Sequence, residues 1–148
     1  MSIETSISVL QPAALVAVEL WDDGSAWTAT PPAKAWRAIR VEPLVWWLSG
    51  PLEALGDMLA LIETLVGEAG EVADLSGGFS RIAIRGDWRE RLMFGGVFDA
   101  EDPAFTIGST AGTILHHVAV RYDVVEPDEV HVYAPPSYVA DLMHHLGG

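Results

Sequence analysis

The chain has 148 residues, half of them hydrophobic, with no cysteine and a formal net charge of −13 from 21 acidic and 8 basic residues. A chain of this length forms one ordinary domain and buries enough apolar surface to fold without disulfides or a structural metal. The lack of thiols excludes cysteine catalysis, Cys-ligated zinc and iron–sulfur clusters. The acidic excess repels phosphate and anionic lipid, so we expect no direct nucleic-acid binding and no membrane association.

The first residues, "MSIETSISVL", lack the basic segment and the apolar run of a secretory signal. Charges or Pro-Gly breaks interrupt every hydrophobic stretch before it reaches the length of a membrane helix. We therefore expect a soluble protein with a cytoplasmic location.

The N-terminal region predicts a β-hairpin. In "ALVAVELW", residues 14–21, hydrophobic side chains line both faces of an extended chain. An Asp-Gly turn at 22–25 and strand-forming residues at 26–30 follow directly. The expected hairpin covers residues 13–30.

The segment 36–48 is the next expected extended stretch. Pro43 lacks the amide proton that a strand ladder needs, so it marks an edge, a bulge or a break between two short strands. Near the end of the segment, Trp46 and Trp47 are adjacent, and in a strand their side chains point to opposite faces. Only one of them can face the following helix, while the other meets a second layer, solvent or a partner. Tryptophan is common both in cores and in binding hot spots, so both roles stay open.

Residues 51–68 predict an amphipathic helix. Their apolar side chains recur at steps of three and four residues, and acidic side chains take the opposite side. Pro51 suits the first helical position, where its missing N–H costs nothing. Gly67 and Gly70 are the expected terminators.

The second half of the chain alternates strand and helix patterns. Period-two hydrophobicity predicts the strands, and serine or glycine marks the ends of the final helix. The expected elements are strands at 80–86 and 92–98, a short helix around 109–116, strands at 118–125 and 129–134, and a C-terminal helix capped by Ser137.

The order of these elements predicts an α+β fold with a mostly antiparallel sheet. Residues 36–125 give strand, helix, strand, strand, helix, strand, which is the βαββαβ order of ferredoxin-like folds. We expect one domain over 1–148, with this core packed by helices. The N-terminal hairpin and a C-terminal strand and helix at 129–146 are additions to it.

Acidic clusters in three predicted connections suggest a surface for a cationic protein partner, because opposite charge steers association. None of the clusters has the ligand spacing of a calcium loop. Together with two tryptophans they form the candidate partner-binding set: Trp21, Asp22, Asp23, Trp47, Asp99, Glu101, Asp102, Glu126, Asp128 and Glu129. The alternative is that the charge only keeps an apolar-rich protein in solution.

The histidines do not predict a metal site. His116 and His117 diverge in extended chain, and His144 and His145 point about 100° apart on a helix, although His131 could join either pair in space. No nucleophile elbow and no phosphate loop with its lysine occur. We expect no metal, no cofactor and no catalytic residue. The enzymatic alternative is a site built in space from His116 or His117 with Asp123 and nearby hydroxyls.

A Trp-bearing strand, the helix at 51–68, the strand "RIAI" and the later "TILHHVAVRYDVV" together resemble small bacterial immunity-type proteins of α+β architecture. The resemblance implies a non-enzymatic protein that neutralises a toxin by occluding it, and it carries over no residue role. A homo-oligomeric structural or phage-type component, including a homodimer, is a further alternative.

Overall fold

A computed structural model describes residues 5–22, 36–88, 110–115 and 117–147. Within these residues it has strands and helices in the following order: β1 (Ser6–Val9), β2 (Ala13–Leu20), β3 (Arg37–Glu42), β4 (Val45–Pro51), α1 (Leu55–Val66), β5 (Gly70–Asp74), β6 (Ser80–Arg85), β7 (Thr110–Leu115), β8 (Val118–Glu126), β9 (Glu129–Ala134) and α2 (Val139–Gly147). Single 3₁₀ turns precede both helices and follow α1. No helix within the described ranges is long and apolar enough to cross a membrane.

The chain divides into two compact units. Pro12–Gly77 forms one, which we call the inserted unit; Met1–Gln11 and Gly78–Gly148 together form the other, the split unit. Each contains one sheet, and all strand pairs described in both sheets are antiparallel. The α+β class with mostly antiparallel sheet is therefore confirmed.

The inserted unit is a four-stranded sheet, in the order β3-β4-β2-β5, with α1 packed on one face. Alternate residues of β2, from Ala14 to Leu20, contact the buried stripe Met58, Ile62 and Val66 of α1. Each fully buried side chain of this size stabilises the fold by about 1.5–3 kcal/mol. The apolar residues at every second position of β2 and at every fourth position of α1 therefore pack together as one core.

Helix α1 begins four residues later than expected. Pro51 is the last residue of β4, paired with Ala13, and a 3₁₀ turn at Leu52–Ala54 leads into the helix. The expected terminator Gly67 is confirmed: its φ is +54°, and its N–H donates to the carbonyl of Glu63. Gly70 instead opens β5.

Trp46 and Trp47 lie on opposite faces of the four-stranded sheet. Trp46 is partly buried against the core under α1, and the Arg40 guanidinium lies 5.2 Å from its ring centroid. Trp47 is 9% exposed on the other face. Both rings thus contribute to packing, as the alternation of a strand requires.

The split unit is a five-stranded sheet in the order β1-β6-β9-β8-β7. One face, with Ile82, Val124 and Val132, packs against Leu142 and Leu146 of α2. The expected strands at 80–86, 118–125 and 129–134 and the C-terminal helix are present. Ser137 is not the helix cap, because it lies inside the 3₁₀ turn Pro136–Tyr138, whose N-cap residue is Pro135 and which has no side-chain cap.

The expected helix around 109–116 is wrong: Thr110–Leu115 is strand β7, paired with β8. β-Branched residues such as Thr113 and Ile114 lose rotamer freedom in a helix and favour strands. The turn into β8 contains His117 at φ +67°, a conformation that a tight hairpin uses and that histidine tolerates better than most residues.

The ferredoxin-like βαββαβ core is not confirmed. The strands assigned to it divide between two sheets, β3 and β4 in the inserted unit and β6 and β8 in the split unit, where strand β7 takes the place of the expected second helix. β2, expected in a peripheral hairpin, is central instead, paired with both β4 and β5. The strands expected at 26–30 and 92–98 lie outside the described residues. The assignment of the whole chain to one domain stays a prediction.

Candidate functional site

The turn between β8 and β9 carries the acidic cluster Glu126, Asp128 and Glu129. Its backbone is fixed by residues that follow β6. Gly86 N–H donates to the Asp128 carbonyl at 2.7 Å, and the Nε1–H of the fully buried Trp88 donates to the Pro127 carbonyl at 3.0 Å. This turn is therefore held by hydrogen bonds to the unit's own core.

Glu129 is bound by two neighbours within the same unit. Its Oε1 accepts from Arg85 Nε at 2.7 Å, and its Oε2 lies 2.6 Å from His131 Nε2. Burial raises the pKa of this carboxyl, but the hydrogen bonds and positive charges of His131 and Arg85 outweigh it and hold the pKa below its ordinary value. Glu129 has a structural partner on each oxygen, while Glu126 and Asp128 are exposed.

The strand register brings together polar residues on one face of the five-stranded sheet. His131 of β9 lies directly opposite Asp123 of β8, and Tyr133 lies opposite Arg121. Arg121 Nη1 donates to Thr110 Oγ1 on β7 at 3.1 Å. Asp123 is 1% exposed, which is unusual for a carboxylate. Sequence reasoning missed this arrangement, since only the register shows that these positions are neighbours.

Of the enzymatic alternative, the described residues test only the pairing of His117 with Asp123, and these two are not brought together. His117 is exposed at the β7–β8 turn, and Asp123 lies six residues further along the chain, about 20 Å at about 3.3 Å per strand residue. His116 lies outside the described residues. Among the residues that are described, no group of three or more His, Asp or Glu is arranged to hold a metal ion.

The predicted partner-binding residues fall into four groups. Trp21 and Asp22 are exposed at the end of β2, where Trp21 N–H donates to the Ala69 carbonyl at 2.9 Å. Trp47 is buried and offers a partner little surface. The β8–β9 turn holds the third group, Glu126, Asp128 and Glu129. The remaining four lie outside the described residues: Asp23, Asp99, Glu101 and Asp102.

Two leucines on α1 are exposed. Leu61 is 40% exposed and Leu65 is 50% exposed, although the periodicity of the sequence placed Leu65 on the apolar side of the helix. The segment that contains α1 is also acidic. Residues 41–80 contain no Lys, Arg or His but seven acidic residues: Glu42, Glu53, Asp57, Glu63, Glu68, Glu71 and Asp74.

No family model matches this chain, and no curated protein matches it. The solved structures with a similar fold include a chain of the heterotetrameric sarcosine oxidase from Corynebacterium sp. U-96, in complex with pyrrole 2-carboxylate. The TM-score is 0.78 at 16% sequence identity, and the match covers 96% of this chain and 81% of that chain. The likeness therefore extends over almost all of this chain and shows a shared fold.

Proposed function

We propose that this chain is a non-catalytic subunit of a multi-chain oxidase of the sarcosine oxidase type, in which it binds a cationic surface of a neighbouring chain. One observation carries the proposal: nearly the whole chain shares its fold with a chain of a heterotetrameric enzyme. Fold alone does not assign function, so the properties of the surface have to agree with it.

The geometry supports binding rather than chemistry. Within the described residues, His117 and Asp123 are far apart, and Glu129, which lies 2.6 Å from His131, is also joined to Arg85 in an ion-pair network. Such a network neutralises the carboxylate and stabilises the sheet, which is a structural task. The chain's contribution to an oxidase is then to bind and position another chain.

The net charge of −13 favours a partner with a positively charged surface. An acidic body associates fastest with a basic surface and repels another acidic one. Neutralisation of a cationic toxin would use the same electrostatics, and it stays a prediction, as do a bacterial source and a cytoplasmic location. The fold shared with a chain of a heterotetrameric enzyme is our reason to propose an assembly of chains before toxin inhibition.

Affinity purification of the tagged chain from its source cells, expressed at its native level, tests the proposal. We expect the chain to co-elute in fixed stoichiometry with other chains of one enzyme, identified by mass spectrometry, and the complex to consume sarcosine. A chain that elutes alone, or with a single small toxin, contradicts the proposal.

A further inference from the structure

Strand β5 (Gly70–Asp74) forms one edge of the four-stranded sheet in the inserted unit. It pairs with β2 in an unbroken antiparallel register. Two hydrogen bonds mark the ends of this register: Trp21 N–H donates to the Ala69 carbonyl at 2.9 Å, and Leu75 N–H donates to the Leu15 carbonyl at 2.8 Å. Because hydrogen-bonded pairs alternate along an antiparallel ladder, every second residue from 69 to 75 bonds to β2.

The residues between them direct their backbone groups to the other side of the strand. Glu71 and Ala73 belong to the set that bonds to β2, whereas the N–H and C=O groups of Val72 and Asp74 point away from it. Among the residues that the structure describes, β5 pairs with β2 alone, and no hydrogen bond to these four groups is formed. A row of such unpaired groups is a template for a further strand. We call this side of the strand the β5 edge.

The accessible side chains of β5 are acidic on both faces of the sheet. Glu71 and Asp74 are exposed. Glu71 lies directly opposite Glu19, which is also exposed, while Asp74 lies opposite Val16, a residue of the core under α1. The two carboxylates of β5 therefore belong to opposite faces. The segment 41–80 contains no Lys, Arg or His, so it supplies no cation to neutralise them.

We infer that the β5 edge binds an extended segment of a neighbouring chain that carries Lys or Arg, and that this segment adds a strand to the sheet. The inference rests on the proposed function, in which this chain binds another chain of an enzyme. Hydrogen bonds to the backbone of Val72 and Asp74 supply affinity, and side chains at alternate positions of the added strand supply specificity. Basic side chains on its two faces pair with Glu71 and Asp74.

The acidic side chains determine which segment the edge accepts. Charged side chains on an edge strand are a common protection against pairing with the wrong strand. Here they are negative, so they repel an acidic strand and attract a basic one. A second copy of this chain is a poor occupant, because its own β5 would bring Glu71 and Asp74 alongside the same residues.

Titration of the purified chain against the remaining chains of the source organism's own sarcosine-oxidase-type enzyme, co-expressed without it, tests the inference. Val72→Pro removes the outward N–H, while Glu71 and Ala73 keep their bonds to β2. It should raise the Kd about tenfold or more, because a carbonyl of the added strand loses its donor. Val72→Ala is the matched control: it also loses packing against the core but keeps the N–H, so its Kd should stay within about twofold.

Two further substitutions test the charge and the location of the contact. Glu71→Lys should raise the Kd at least about threefold and weaken its salt dependence, whereas Glu63→Lys, the same change on α1, should not. Val9→Pro removes the corresponding outward N–H of β1, an edge strand of the five-stranded sheet, where Leu10 N–H bonds to the Arg81 carbonyl. It should leave the Kd within about twofold.

Amide hydrogen exchange follows the added strand residue by residue. In the isolated chain, the amides of Glu71 and Ala73 should exchange more slowly than those of Val72 and Asp74. In the complex, all four should exchange slowly. Slow exchange of Glu71 and Ala73 in the Val72→Pro variant checks that its pairing with β2 is intact. If that pairing is lost, exchange of Val72 and Asp74 in the wild-type complex decides instead.

Each outcome decides one question. If the wild-type chain binds but Val72→Pro binds as tightly as Val72→Ala, or if the amides of Val72 and Asp74 are not slowed in the complex, the inference is overturned while the proposed function stands. If the wild-type chain binds none of those chains, both fall. If Val9→Pro weakens binding and Val72→Pro does not, the contact lies at the other sheet and the inference is wrong. If Val72→Pro abolishes only self-association of this chain, the occupant is a second copy and the inference is also wrong.

Discussion

The β8–β9 turn and helix α1 both carry exposed acidic side chains, but these differ in their neighbours. In the turn, Glu129 is bound by Arg85 and His131, and the backbone carbonyls accept hydrogen bonds from Trp88 and Gly86. Helix α1 lies in a segment, residues 41–80, that contains no Lys, Arg or His, and its Leu61 and Leu65 are exposed. An acidic side chain can therefore be part of an ion-pair network or lie in a segment without basic residues, and the net charge alone does not distinguish the two.

At the β8–β9 turn, we expect the largest loss of stability from replacing Trp88. Replacing this fully buried ring by alanine should lower the free energy of unfolding by about 3–5 kcal/mol, because it leaves a large cavity and frees the Pro127 carbonyl. Urea denaturation measures the loss. Trp88→Phe keeps most of the volume, so it should cost less; equal losses for the two variants would show that the hydrogen bond to the turn, not packing, dominates.

In the inserted unit, the pairing of β2 with β5 can be tested at Gly70. A Cβ at this position would lie 2.1 Å from the Glu19 carbonyl oxygen, closer than any real contact, so the β2–β5 pairing has to shift. Gly70→Ala should lower the free energy of unfolding by about 2 kcal/mol or more.

Gly56 is the matched control, since it lies in α1 with no atom within 4 Å of an added Cβ. Gly56→Ala should raise the free energy of unfolding by up to about 1 kcal/mol. If both alanine variants proved equally stable, the close approach of β2 and β5 would be refuted.

The ion pairs of the turn predict a pH dependence. The folded pKa of Glu129 lies below its ordinary value of 4.5, so its stabilisation is fully present above that pH and is lost as the pH falls through the folded pKa. Glu129→Gln should therefore lower the free energy of unfolding by about 1 kcal/mol at pH 7 and by progressively less in acid, as measured by urea denaturation at each pH. Glu126 is exposed at the same turn, so Glu126→Gln should lower the free energy of unfolding by less at pH 7. A loss for Glu129→Gln that stays constant down to pH 2 would contradict the assignment.

The exposed side of α1 should tolerate substitution best. Leu65→Glu puts a good helix former at an exposed position, so the free energy of unfolding should change by no more than about 0.5 kcal/mol. A thermal melt of the isolated chain tests this. A large loss of stability would mean that Leu65 belongs to the core.

Local patterns predicted the elements whose residues carry a clear period. β2 alternates apolar residues and α1 repeats them at steps of three and four, so both could be placed from the sequence. β5, "GEVAD", has too little apolar character to stand out, and it forms because β2 offers it an edge. β7 was mistaken for a helix because small residues and glycine weaken either pattern.

The site was harder to predict than the elements. The pairing of His131 with Glu129 and its position opposite Asp123 depend on register across strands far apart in sequence. The exposure of Leu61 and Leu65 depends on how α1 is rotated on its sheet, which periodicity places only to within a residue or so. Trp21 and Asp22 were identified from sequence as partner-binding candidates, and the structure places both on the surface.

A structure of the complete complex, purified through this chain, tests the central claim most directly. The account predicts that this chain lies in a multi-chain enzyme, with Lys or Arg side chains of a neighbouring chain against its acidic surface. A preparation that contains no other chain, or a complex in which the contacts to this chain lack basic side chains, would contradict it.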